Sequence, residues 1–194
     1  MTYHNTISVM NSEIPIKKEN TLKELVKFAI IAIIIVVPIR MFIAEPFIVR
    51  GASMDPTFDS GHYLIVDRLT YRFREPERLE IIVFRYPTNP GTYIIKRIIG
   101  LPGETVYVND GKVTIINKEN PNGINIDDNY VIAEHRTHES FEIKLSSTEY
   151  FVMGDNRSNS TDSRVWGPLE EKYIIGRPLL RLLPISKIGI LPGQ

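Results

Sequence analysis

The chain has 194 residues, 43% hydrophobic and 24% charged, and its 23 basic and 23 acidic residues cancel to a formal net charge of zero. Balanced charge excludes the basic footprint of a nucleic-acid binder, the hydrophobic fraction excludes disorder beyond the N-terminus, and the lack of cysteine excludes a disulfide framework or a thiolate metal site. The length allows one good core, or a small domain with an appendage.

Residues 1–20 are polar and lack helical periodicity, the pattern of a flexible tail. Phe28 to Ala44 (FAIIAIIIVVPIRMFIA) carries one charge, Arg40, and is flanked by Lys27 and Glu45. As a helix it spans about 25 Å against a hydrocarbon core of about 30 Å, and Lys27 and Arg40 can snorkel to the head groups. Pro38 is tolerated near the end of such a helix. The expectation is one transmembrane α-helix over residues 25–44. A cleaved signal peptide fits less well, because the segment before the run is long and no A-x-A site follows it; a buried core helix is the third option. Lys17, Lys18, Lys23 and Lys27 precede the run, whereas Arg50 is the only basic residue between Glu45 and Asp67. The positive-inside rule therefore makes residues 1–24 a cytoplasmic tail and exports residues 45–194.

From Phe47 onward, short β-rich runs are broken by Gly, Pro and Asn, among them HYLIVDRLTYRF, EIIVFRYP, TYIIKRIIG, ETVYVNDGKVTII, YFVMGDN and YIIGRPLLRLL. They predict an all-β exported domain, mainly antiparallel. Asn109-Asp110-Gly111 is a hairpin signal, and residues 117–129 read as a surface loop. The apolar C-terminal stretch from Leu179 to Leu191 is interrupted by Arg181, Pro184 and Lys187, which suits a terminal strand or packing segment better than a second span.

Two residues in this domain suggest chemistry. Ser53 lies in Gly51-Ala52-Ser53-Met54-Asp55-Pro56-Thr57, and Lys96 lies in the apolar run Tyr93-Ile94-Ile95-Lys96-Arg97-Ile98-Ile99-Gly100. A serine hydroxyl needs a base to become nucleophilic, and a lysine desolvated among isoleucines can be neutral enough to serve. A turn serine and an outward lysine on a half-buried strand account for the same residues without chemistry. A third segment, Gly154 to Gly167, packs Asp155, Asn156, Arg157, Asp162 and Arg164 directly after the apolar strand YFVM. It is either a solvated turn or a hydrogen-bonded loop, with Asp162 and Arg164 spaced to pair.

Together the three segments resemble type I signal peptidase, a family of membrane-bound serine proteases, over Leu25 to about Pro184. The S-M-x-P-T motif is matched by Ser53, Met54, Pro56 and Thr57; K-R-x-x-G-x-P-G-[DE] by Lys96, Arg97, Gly100, Pro102, Gly103 and Glu104; and G-D-N-R-x-N-S-x-D-S-R from Gly154 to Arg164. The resemblance implies Ser53 as nucleophile, Lys96 as general base, an acyl-enzyme, and no metal or organic cofactor. It further implies that Ser160 hydrogen-bonds the Lys96 amine, and that Asp162, Arg164 and Arg97 form a supporting salt-bridge cluster. The implied partners are exported preproteins with their signal peptides and the lipid bilayer, at a cell membrane. Some family members carry a hydroxyl two residues before the nucleophile; this chain has Gly51, which leaves its oxyanion donors open beyond the Ser53 backbone N–H.

Val49, Met54, Ile94 and Ile95 flank Ser53 and Lys96, as pocket walls for small substrate residues or as ordinary core. His135 and His138 sit in a charged stretch and read as a solvated loop rather than a metal site, and Trp166 reads as core packing. A soluble self-cleaving repressor protease would share the serine/lysine pair but lack the anchor and the third motif. A membrane-tethered β-domain that binds exported chains without cutting them is the alternative outside enzymes.

Overall fold

The computed structural model describes residues 21–38 and 44–193. The chain divides into two units, Met1–Pro38 and Ile39–Gln194.

In the first unit the described part is one helix, α1 (Thr21–Pro38), with Glu24 in its first turn, where a carboxylate complements the helix dipole. Its apolar side chains from Leu22 to Val37 are exposed. Here the bounds of the expected anchor need correction. The helix starts at Thr21 rather than at residue 25 and carries Lys23, Glu24 and Lys27 in its opening turns, and Ala44 already belongs to a strand. The described part of the apolar run, Phe28 to Pro38, spans about 16 Å as helix. Among the described residues no helix is long and apolar enough to cross a membrane. The expected tail over residues 1–20 and the end of the expected span, residues 39–43, lie outside the described residues.

The described residues of the second unit form twelve strands: β1 (Ala44–Ile48), β2 (Tyr63–Asp67), β3 (Ile81–Tyr86), β4 (Asn89–Gly100), β5 (Thr105–Asn109), β6 (Lys112–Ile116), β7 (Ile124–Asn125), β8 (Phe141–Lys144), β9 (Glu149–Met153), β10 (Leu169–Glu170), β11 (Ile174–Leu183) and β12 (Gly189–Ile190). One helical turn, α2 (Ser163–Trp166), follows β9. The larger sheet has the order β1-β2-β11-β3-β4-β9-β10, with β12 on β11; the smaller has the order β7-β6-β5-β8. Neighbours pair antiparallel, the mainly antiparallel β fold that the run of short strands predicts.

Burial explains the strand pattern. The start of β3, Ile81-Ile82-Val83-Phe84, is buried throughout because both of its faces are covered. Ile82 and Phe84 join Ile98, Tyr150, Val152 and Leu169 in one cluster, with Trp166 packed against it, while Ile81 joins Val49, Met54, Phe58 and Leu64 in another. A third cluster, including Ile99, Val106, Ile115, Leu145 and Phe151, joins the smaller sheet to β4 and β9. Asp110-Gly111 closes the β5–β6 hairpin. The 117–129 excursion is not all loop, since β7 adds an edge strand to β6.

The first part of the apolar C-terminal run, Leu179 to Leu183, belongs to an inner strand, since β11 lies between β2 and β3, and the rest turns back so that β12 pairs with β11. Pro178 cannot donate to a ladder and argues against an inner strand in sequence. The fold absorbs it with a register shift between Pro178 and Leu180.

Candidate active site

Ser53 sits in a turn held from beneath by the core. After β1 the pairing continues for one step, Val49 N–H to the His62 carbonyl and Gly61 N–H to the Val49 carbonyl, each at 2.9 Å. Gly51 then turns the chain at φ +86°, a conformation that a side chain disfavours, so Ser or Thr here would be strained. The Asp55 N–H closes a turn onto the Ala52 carbonyl at 3.2 Å with Ser53 and Met54 at its centre. Met54 and Phe58 are 1% and 0% exposed and anchor that turn. Met54 was expected beside Val49, Ile94 and Ile95 as a pocket wall; it faces the core cluster instead, because the turn needs an apolar foot.

Lys96 lies on β4, opposite Ile82 of β3. Its Nζ is 2.6 Å from Ser53 Oγ and donates to the Ile95 carbonyl at 3.0 Å. The residue is 3% exposed. Burial pushes the amine down to about 8 from an ordinary value of 10.5, against the opposing pull of the Asp162 and Asp155 charges. The fold therefore carries about 3 kcal/mol against a protonated Lys96. A neutral amine at this distance can accept the serine proton directly.

The loop after β9 holds the serine turn and, through Arg97, the strand that bears Lys96. The Asn156 N–H donates to the Ser53 carbonyl at 3.1 Å. Gly154 is required by close approach: a Cβ there would lie 2.3 Å from the Ser53 carbonyl oxygen and 2.3 Å from Ser160 Oγ. Successive strand residues point to opposite faces, so Arg97 leaves the Lys96 side and reaches Asp155, Nε to Oδ1 at 2.8 Å and Nη2 to Oδ2 at 2.7 Å. Asp155 Oδ2 also accepts from Thr57 Oγ1 at 2.5 Å, which ties the serine turn to the same ion pair.

The expected cluster of Asp162, Arg164 and Arg97 is two separate pairs. Arg164 folds back on Asp162, with Nε on Oδ1 at 2.8 Å and Nη2 on Oδ2 at 2.9 Å, and the Gly154 N–H donates to Asp162 Oδ2 at 2.9 Å. Burial alone would raise the Asp162 carboxyl, but the hydrogen bonds and charge of Arg164 with the Gly154 N–H outweigh it and hold it below its ordinary value. The partner of Arg97 is Asp155, which the third segment offers only as one of its acids. The register shows it, since Arg97 pairs with Met153 and the chain turns into the loop just beyond. Ser160 also departs from expectation. It packs against Gly154 and the Asp162 carboxylate, and no hydrogen bond joins it to Lys96.

Above Ser53 and Lys96 opens a cleft of about 450 Å³ whose walls include Val49, Ile94 and Ile95, with Asn159 and Thr161 at the rim. Two backbone edges border it. β1 is the terminal strand of its sheet, and β4 pairs with β9 only from Arg97 onward, which leaves one edge of Thr92 to Ile95 open. An extended peptide can add between such edges. Among the described residues no cluster of His, Asp and Glu is arranged to hold a metal ion.

The family model described as signal peptidase, peptidase S26, matches residues 22–183. The chain is 40% identical over 179 residues to the probable signal peptidase I-2 of Synechocystis sp., covering 89% of this chain and 78% of that relative. It is 37% identical over 183 residues to the signal peptidase I of Leptolyngbya laminosa, covering 90% and 86%. A crystal structure of a signal peptidase I from Enterococcus faecalis V583 is 30% identical, covers 54% of this chain and 97% of its own, and superposes with a TM-score of 0.46.

Proposed function

The chain belongs to the signal peptidase family, peptidase S26, and on that footing we propose that it is a serine endopeptidase that removes signal peptides from exported preproteins with Ser53 and Lys96. The observation that carries the reading is a buried amine, with its pKa brought down to about 8, placed 2.6 Å from a serine hydroxyl at the floor of an open cleft.

In this reading Ser53 Oγ attacks the scissile carbonyl and its proton passes to Lys96 Nζ. The C–N bond breaks as Lys96 returns that proton to the leaving amine, and an acyl-enzyme remains on Ser53. Water then gives a proton to Lys96 and attacks the ester; the bond from the acyl carbon to Ser53 Oγ breaks, Lys96 returns the proton to Oγ, and the signal peptide leaves with its new carboxylate. The Ser53 N–H faces the developing oxyanion. Arg97, Asp162, Arg164 and Ser160 hold the geometry without touching the reacting atoms. The substrate lies as a strand between the open edges of β1 and β4, and the apolar walls of Val49, Ile94 and Ile95 select small residues one and three positions before the cut.

The membrane also belongs to this reading: the apolar run that begins at Phe28 on α1 and ends before β1 anchors the chain, the residues before it stay in the cytoplasm, and the β domain works outside. Its support is the apolar run Phe28 to Ala44, with Lys17, Lys18, Lys23 and Lys27 before it. The test of the activity uses the purified chain in detergent. It should cut a preprotein after its small-residue site, and Ser53→Ala and Lys96→Ala should each abolish cutting; a variant that still cuts ends the assignment.

A further inference from the structure

The segment between β7 and β8 reads in sequence as a charged loop with two solvated histidines. The structure separates them. His138 is exposed and pairs with Asp110 at the hairpin turn. The His135 side chain is only 14% exposed, and both ring nitrogens face Asp55: Nδ1 lies 3.1 Å from the Asp55 carbonyl oxygen and Nε2 3.2 Å from Asp55 Oδ2. Asp55 is the residue whose N–H closes the turn around Ser53.

On both sides of His135 the segment is tied to the other two motif segments. The Tyr130 ring stacks on the Arg97 guanidinium at 4.0 Å, and its hydroxyl accepts from Arg157 Nη2 at 3.2 Å. Glu139 accepts from Arg164 Nη1 at 3.0 Å, and Thr137 Oγ1 lies 3.4 Å from the same nitrogen. Val131 is buried, the Val131 N–H donates to the Asp128 carbonyl at 2.8 Å, and the Arg136 guanidinium grips the Asp128 carboxylate. The segment thus has its own local bracing and touches all three segments that build the site.

Lys96 stands on a strand paired along its length with β3, whereas Ser53 stands on a turn. The turn is fixed at the Ser53 carbonyl by Asn156 and at Thr57 by Asp155, and the stretch between these points is gripped at Asp55 by His135. We propose that residues 128–139 form a strap that positions the Ser53 hydroxyl, with His135 as its point of contact through Asp55. The proposal rests on the reading of Ser53 as the nucleophile. His135 does not reach the reacting atoms and is a positioning residue: it acts on the distance between hydroxyl and amine, and an error of about 1 Å in such a distance can cost up to about a hundredfold in rate.

The test is single-turnover cleavage of a preprotein peptide by the full chain in detergent, because that first-order rate constant does not depend on how much of the enzyme is folded. His135→Ala should lower the rate constant about tenfold while the enzyme concentration at half-maximal rate changes by less than about twofold. His135→Gln, whose amide can donate to the Asp55 carbonyl, should recover most of the loss, and His138→Ala should cut at the wild-type rate. If His135→Ala does not fold, His135→Phe keeps a ring, drops both nitrogens and should show the same loss. A wild-type rate constant without the histidine nitrogens, an equal loss in His138→Ala, or no recovery with Gln overturns the strap. A wild-type chain that leaves the peptide uncut, or a Ser53→Ala variant that cuts it, overturns instead the reading of Ser53, so the two failures are distinct.

Discussion

Arg97 meets Asp155 with two prongs, Nε to Oδ1 at 2.8 Å and Nη2 to Oδ2 at 2.7 Å, and both side chains are buried. The remaining guanidinium nitrogen, Nη1, donates to the Leu79 and Gly193 carbonyls at 2.9 Å each. Because Arg97 follows Lys96, and Asp155 lies between Gly154 and Asn156, this pair joins the strand that bears the amine to the loop that grips the Ser53 carbonyl. Thr57 brings the serine turn to the same carboxylate.

Removing one partner of such a pair leaves a buried charge uncompensated. Asp155→Ala should cost about 3 to 5 kcal/mol of stability, read as a lower urea midpoint. Arg97→Lys should not spare the fold either, since an ammonium cannot bridge both oxygens of Asp155 while reaching two carbonyls.

Lys96 sets the pH dependence of the proposed reaction. With its pKa brought down to about 8, the neutral amine is the minor form at pH 7 and the major form above 9. The value of kcat/KM should rise about tenfold per pH unit below that value and level off above it. A profile flat from pH 6 to pH 10 would contradict Lys96 as the base.

The same shift makes a claim about stability. The unfolded chain keeps Lys96 protonated up to about 10.5, but the folded chain only up to about 8. Between these values the unfolded state binds more protons, so folding stability contributed by this residue rises with pH across that window. Lys96→Met should remove that rise and stabilise the protein at pH 7 by about 3 kcal/mol. Urea unfolding of both proteins at pH 7 and pH 10 checks the sign.

Gly154→Ala tests the close approach of the loop to the serine turn. The new Cβ would start 2.3 Å from both the Ser53 carbonyl oxygen and Ser160 Oγ, so backbone must move. The surrounding strands should still fold, with circular dichroism near wild type, while single-turnover cleavage falls by about a hundredfold. Full activity in this variant would show that the loop position is irrelevant to Ser53.

Several features are visible in the chain because their causes are local. Short apolar runs with turn residues between them announce antiparallel strands, and Asn109-Asp110-Gly111 announces the β5–β6 hairpin. Other features were hidden for equally physical reasons. The place of β11 inside the sheet was one: Pro178 argues locally against an inner strand, and a register shift lets the strand run between β2 and β3. Met54 looked like a pocket wall because its distance in sequence from Ser53 is one residue, yet the turn points it into the core. His135 looked solvated because its neighbours are charged, yet it is folded against Asp55.

The chain alone specifies the three motif segments, the residue types able to exchange a proton, and the antiparallel class of the domain, since these depend on side-chain chemistry and on short-range pattern. Only the folded molecule brings Lys96 to Ser53 across 43 positions and Arg97 to Asp155 across 58, chooses Asp155 over Asp162 as the partner of Arg97, and strips water from the amine. Strand register and desolvation are collective: they follow from the summed packing of β3, β4, β9 and the loops around them, and no single segment contains that sum.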